Sequence, residues 1–93
     1  MIRSFRDKDT ERVFNRVRVR KFHQDVQRLA QRKLVMLDAA ENLIDLRFPP
    51  GNRLKKLSGD RKGEHSIRIN DQWRICFRWR NPDAYDVELA DYH

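Results

Sequence analysis

Thiol, glycine and proline are all scarce in this chain, whose 93 residues hold one Cys, three Gly and three Pro. A lone cysteine, Cys76, closes no intrachain disulfide, so the disulfide-stapled secreted scaffolds drop out. With so few Gly and Pro, and with apolar residues in regular patterns, the low hydropathy does not spell disorder. No run approaches the roughly 18 apolar residues a bilayer crossing needs. Met1 to Thr10 breaks up Ile2 and Phe5 with Arg3, Arg6, Asp7, Lys8 and Asp9, which is unlike a signal peptide. The expected compartment is the cytoplasm, with no membrane partner. Neither a GxxxxGK[ST] loop nor a GxGxxG run occurs, and three separated His with one Cys lack metal-ligand spacing, so no cofactor and no metal are expected. A chain this short makes one domain, residues 1–93, that buries about 60 to 65% of its unfolded surface and binds its partners on the outside.

Charge is what the sequence has in abundance. Charged residues make up 38% of it, 21 Lys plus Arg against 14 Asp plus Glu, for a net +7. The excess is local: eight basic and three acidic residues fall between Met1 and Phe22, and ten and four between Arg47 and Asp83. Between them, His23 to Leu46 is nearly balanced, and Ala84 to His93 carries only acids. Two basic segments attract polyanions through counterion release, so nucleic acid or an acidic protein are the candidate partners.

Apolar periodicity orders the chain. Ile2 to Phe5 reads as a short strand, followed by a helix capped by Asp7 or Asp9 with Val13, Phe14 and Val17 on one stripe and Arg12, Arg16 and Arg18 on the other side. From about His23 to Leu46, the residues Val26, Leu29, Ala30, Leu34, Leu37, Ala40, Leu43 and Ile44 recur at helical spacing, until Phe48-Pro49-Pro50-Gly51 stops the pattern. Beyond that the period becomes two. Ile67 and Ile69, then Trp73, Ile75, Phe77 and Trp79, then Tyr85, Val87 and Leu89 alternate with polar residues, joined by turn-forming Asn70-Asp71-Gln72 and Asn81-Pro82-Asp83. A further short strand is expected around Leu54 to Leu57. Helices followed by an antiparallel meander give an α+β fold, with two N-terminal helices on one face of a curved antiparallel sheet of about four to five strands.

That sidedness gathers the basic residues. Trp73, Ile75, Phe77 and Trp79 go beneath the helices, leaving Arg74, Arg78 and Arg80 on an uncovered face that suits phosphate. Arg78 and Arg80 read equally as cross-strand partners of Asp86 or Glu88. Arg74 stands opposite Ala90 with no acid in its own row, next to the tail Asp91-Tyr92-His93. A histidine titrating near 6.5 suits proton transfer at neutral pH, and Tyr92 can stack on a base or orient that ring. Arg53, Lys55, Lys56, Arg61 and Lys62 surround the turn Ser58-Gly59-Asp60 and form a rim of the same face, or else a solvated loop. Cys76, between Ile75 and Phe77, reads as a packed side chain and not a nucleophile, and His23 and His65 read as structural or exposed.

The stretch His65-Ser66-Ile67-Arg68-Ile69-Asn70-Asp71-Gln72-Trp73-Arg74-Ile75 follows Leu57-Ser58-Gly59-Asp60-Arg61-Lys62-Gly63 and is closed by Asp91-Tyr92-His93. In this order, with Met1-Ile2-Arg3-Ser4-Phe5 and Pro49-Pro50-Gly51-Asn52-Arg53-Leu54, it resembles the HigB toxins of the RelE/ParE superfamily of bacterial toxin–antitoxin modules over nearly the whole chain. The resemblance implies a RelE-like microbial ribonuclease fold and a metal-free endoribonuclease that cuts mRNA on the ribosome, using the RNA 2′-hydroxyl as nucleophile. It also implies control by a HigA-type helix-turn-helix antitoxin, with operator DNA contacted indirectly through that antitoxin.

Carried over by motif position, Arg74 stabilises charge on the phosphate, His93 moves protons, Asp91 tunes His93 and Tyr92 holds the substrate. Lys56, Arg61, Arg53, Arg68 and Arg78 are the expected RNA-contacting cations. Many HigB toxins carry a catalytic His and a Lys where this chain has Lys55 and Ser58. At its ordinary pKa of about 10.4 a lysine accepts protons poorly, so Lys55 is expected to act electrostatically and the site to be weakened. Two other classes stay open: a ParE-like, non-catalytic gyrase inhibitor, and a basic nucleic-acid-binding module in which the tail does no chemistry.

Overall fold

Asp7 starts the first helix. In the computed structural model, which describes residues 1–91, its carboxylate accepts from the Thr10 amide at 2.7 Å and caps α1 (Lys8–Phe14). The expected stripe is cut short after Phe14. Arg16 takes a left-handed φ of 64° that ends the helix, and Val17 is left half exposed instead of joining the core. The linker that follows is tied by Gln27, whose side-chain oxygen accepts from the Val19 amide at 2.9 Å while its nitrogen donates to the Val17 carbonyl at 2.8 Å.

The second helix, α2 (Gln24–Ala39), buries Gln27, Ala30, Leu34 and Leu37 at helical spacing. It is shorter than the expected His23 to Leu46 segment. Asp45 explains the break: its carboxylate accepts from the amides of Glu41 and Asn42 at 3.1 and 3.0 Å, which starts a separate 3-10 turn over Leu43–Arg47. Leu46 still packs, fully buried, but Ile44 turns outward. The buried Asn52 side chain then donates to the carbonyls of Leu46 and Phe48, stapling the proline-rich connection to the helical layer.

The sheet has four antiparallel strands in sequential order: β1 (Lys55–Lys56), β2 (His65–Arg68), β3 (Trp73–Arg80) and β4 (Asp83–Asp91). Ile2 and Phe5 add two parallel bridges to Ala84 and Val87, where a strand was expected. Both helices lie on one sheet face, as anticipated, over a core of Leu34, Leu37, Ile67, Ile75, Phe77 and Val87. Thr10 links the layers by accepting from the buried Leu89 amide at 3.0 Å.

The alternation in β4 is interrupted. Cys76 opposes Glu88 but Arg78 opposes Tyr85, so an extra residue is inserted between them, with Asp86 at a φ of 53°. This bulge sends Ala84 into the core and turns Tyr85 to the opposite face, correcting the grouping of Tyr85 with Val87 and Leu89.

Candidate active site

The face away from the helices is not bare. Ser66 and Cys76 are fully buried there, and Leu57 packs on Cys76 and Ala90 to make a small second core. The expectation of an uncovered flank is therefore corrected to a dry floor with charge at its edges. The Leu57–Glu64 loop, closed by the Leu57 amide on the Glu64 carbonyl at 2.9 Å, brings Leu57 over this floor. Burial raises the Cys76 thiol pKa above its ordinary value, which leaves it packed and protonated.

Arg74 sits on this floor. It opposes Arg68 on β2 and Ala90 on β4, the second as the sequence anticipated. Its Nε donates to Ser66 Oγ at 2.8 Å, and its Nη2 donates to the Arg53 carbonyl at 2.8 Å and the Ser66 carbonyl at 3.5 Å. These three acceptors are neutral. They fix the plane of the guanidinium, whose donors suit a phosphate. The Arg53 carbonyl is aimed by a left-handed backbone (φ 45°) at the end of the 3-10 turn Pro50–Asn52. Arg53 thus enters the site through its main chain, and its side chain is exposed at the rim.

The two lysines of β1 part company. Lys55 opposes Ser66, the residue that holds Arg74, whereas Lys56 opposes His65, which shares a face with Phe77. Lys55 is the one on the Arg74 face. Beside it is a cleft of about 210 Å³ lined by residues from Lys55 to Arg61, including Ser58 and Asp60.

Other expected RNA contacts are already engaged. Arg61 lies 2.9 Å from Glu88 and 3.3 Å from Glu64, and Arg6 bridges the same two carboxylates at 3.2 and 3.6 Å. Glu64 is buried beneath two partly exposed arginines, so this ring of two positive and two negative groups clamps the N-terminal segment, the loop and β4 together. Arg68 pairs with Asp71. Arg78 pairs with Asp86 at 3.7 Å, one of the partners foreseen for it, and Arg80 lies over the Tyr85 ring. Gly63 gives Arg78 room: its φ is +92°, and a Cβ there would meet Arg78 Nη1 at 2.9 Å.

Asp91 ends β4 opposite Trp73, and its carboxylate accepts from Gln72 Nε2 at 3.3 Å. Tyr92 and His93 lie outside the described residues. Ser66, Glu64 and Arg6 were missed from sequence, although the period-two pattern already set Ser66 on the Arg74 side, and Glu88, expected beside Arg78 or Arg80, pairs with Arg61 and Arg6. Among the described residues no group of three or more His, Cys, Asp or Glu is placed to hold a metal ion.

A family model described as the RelE-like toxin of the type II toxin–antitoxin system HigB matches residues 3–93. The chain belongs to this HigB toxin family. Toxin HigB-1 of Vibrio cholerae serotype O1 is 42% identical over 90 residues, covering 96% of this chain and 95% of that one. Endoribonuclease HigB of Proteus vulgaris is 37% identical over 94 residues, with full coverage of both chains. The fold is also similar to a chain of the YoeB–YefM complex from Staphylococcus aureus, at a TM-score of 0.58 and 13% identity over 100% of this chain and 98% of that one. A HigB toxin of a type II system is one half of a toxin–antitoxin pair, and among the described residues no helix is long and apolar enough to cross a membrane.

Proposed function

We propose that this HigB-family toxin is an endoribonuclease that cuts mRNA on the ribosome, without a metal, and is silenced by a HigA-type helix-turn-helix antitoxin through which it contacts operator DNA. The observation that carries the chemistry is the Arg74 guanidinium, oriented on the sheet by Ser66 and by the Arg53 carbonyl. Family membership and the relative named an endoribonuclease supply the reaction class.

In this reading the RNA 2′-hydroxyl attacks the adjacent phosphorus, the 5′-oxygen leaves, and the products are a 2′,3′-cyclic phosphate and a 5′-hydroxyl. Arg74 neutralises the phosphorane, whose charge grows toward the transition state. Lys55, on the same face, adds electrostatic support. His93 takes and returns the protons, Asp91 tunes it, and Tyr92 stacks on or orients the nucleotide. With Lys55 and Ser58 where many relatives carry His and Lys, one proton-transfer group is missing and the rate is reduced.

Mapping RNA 5′ ends after induction of the wild type and of His93→Ala tests this directly. Cuts within coding regions, ending in 2′,3′-cyclic phosphate and absent from the variant, are the expected result. Equal growth inhibition by His93→Ala would remove the catalytic reading, and DNA synthesis failing before translation would favour gyrase as the target.

A further inference from the structure

The main-chain carbonyl that helps to orient Arg74 belongs to a short turn held in an unfavourable backbone conformation. Arg53 adopts φ 45° and ψ 55°, left-handed values that a residue with a Cβ keeps only where its surroundings impose them. Its carbonyl accepts from Arg74 Nη2 at 2.8 Å on the solvent side, where water competes for the same donor. Such a bond aims the guanidinium only if the carbonyl itself is held still. The Arg53 side chain is exposed, so the constraint comes from elsewhere in the turn.

Asn52, the residue before it, supplies that constraint. Its side chain is completely buried, with Nδ2 donating to the Leu46 and Phe48 carbonyls at 3.1 Å and lying 3.1 Å from Met36 Sδ, while Oδ1 accepts from Lys33 Nζ. One flat amide suits this place because it donates to carbonyls and accepts from an ammonium at the same time. The main chain closes around it, the Asn52 amide on the Pro49 carbonyl at 2.9 Å and the Arg53 amide on the Pro50 carbonyl at 3.1 Å. Lys33 and Met36 both stand on α2, so the turn is braced against the helical layer while its last carbonyl reaches the sheet face that carries Arg74. We propose that Asn52 is a positioning residue for the cleavage reaction: acting through the Arg53 carbonyl, it fixes the direction in which the Arg74 guanidinium meets the phosphate. The assignment rests on the catalytic reading of Arg74 above. A misaimed guanidinium loses the alignment of its donors with the phosphorane oxygens, so the maximal rate falls while substrate capture is kept.

The test is a mutant cycle on the full chain, comparing the wild type, Asn52→Ala, Arg74→Ala and the double variant by single-turnover cleavage of mRNA on purified ribosomes, corrected for the folded fraction. Asn52→Ala is expected to lower the maximal rate about tenfold and to change the half-saturating concentration less than about twofold. In the Arg74→Ala background the same substitution should lower the rate less than about twofold, because the group it positions is gone. A purely structural role would instead cost the same factor in both backgrounds. The Arg74 Nε–Hε resonance, followed by NMR, should move in Asn52→Ala and so report the orientation without any reference to activity. If circular dichroism shows Asn52→Ala unfolded, Lys33→Met, which removes the bond to Oδ1 and leaves both carbonyl bonds, replaces it with a smaller loss in the same pattern.

An Arg74→Ala protein that cuts as fast as the wild type overturns the catalytic reading of Arg74 and this assignment with it. Where Arg74→Ala is slow, an equal loss from Asn52→Ala in both backgrounds, a rate close to that of the wild type, or an Arg74 resonance that stays in place overturns the role of Asn52 alone.

Discussion

Arg74 and Arg61 reach the same face of the sheet, yet their surroundings make them different reagents. Arg74 is oriented by the Ser66 hydroxyl and by the Ser66 and Arg53 carbonyls, and Arg61 is paired with the carboxylates of Glu64 and Glu88. Neutral acceptors orient a cation, whereas carboxylates also offset its charge. Counting basic residues on a surface therefore overstates how many can attract RNA. The largest effect should come from breaking the Arg74 corner: Arg74→Ala is expected to lower the cleavage rate about 10²- to 10³-fold with little change in melting temperature. Single-turnover cleavage beside a thermal melt checks it, and a fall in stability that accounts for the lost activity would erase the distinction.

The Arg61 corner should respond the other way. Glu64→Ala leaves Arg6 and Arg61 sharing Glu88 alone, and should cost about 1 to 2 kcal/mol of stability, seen as a lower urea midpoint with an unchanged slope. Cleavage per folded molecule should stay within a few-fold of the wild type. A large rate loss at full folding would mean that the clamp also shapes the site. Ser66→Ala probes the orienting contact itself. Loss of its hydroxyl should weaken cleavage by roughly tenfold, in kcat more than in KM, because the charge remains and only its aim is relaxed.

The layout of the molecule was legible because the apolar period changes from about 3.6 to 2 after the Pro49-Pro50 break, and because short turns force hairpins. Arg74 opposite Ala90 followed from the same reasoning. What escaped depends on single side chains acting on the backbone. Asp45 competes for amides and divides the expected long helix, and Asp86, in a conformation usual for glycine, inserts the bulge that turns Tyr85 over. Neither alters the hydrophobic pattern that sequence reading relies on. The carboxylate clamp escaped for another reason: Arg6, Arg61, Glu64 and Glu88 come from three segments, and only the folded chain brings them together. The candidate site was half legible in the same sense: sidedness and motif pointed to Arg74 and Lys55, which the register places on one face, and the holders of Arg74 come from contacts across the sheet.

The finest contrast lies between neighbouring lysines. Lys55 looks toward Ser66 and Arg74, and Lys56 stands across from His65, whose ring stacks near Phe77 with a buried Nδ1 that has no hydrogen-bond partner among the described residues. Burial first, and the Lys56 charge second, lower the His65 pKa below its ordinary 6.5. The folded protein therefore holds this proton less readily than the unfolded chain. As pH falls through 6.5 the unfolded state takes up the proton first, so the stability due to the neutral ring is complete above that value and is lost until the folded pKa is reached. Melting temperatures between pH 7.5 and 5 should fall less steeply for His65→Gln than for the wild type. In Lys56→Ala the fall should be slightly shallower than in the wild type, because one of the two causes is gone, whereas Lys55→Ala should leave the slope as it is. Identical slopes for the two lysine variants would mean that the strand does not separate their charges onto opposite faces, and the assignment of Lys55 alone to the phosphate side would fail with it.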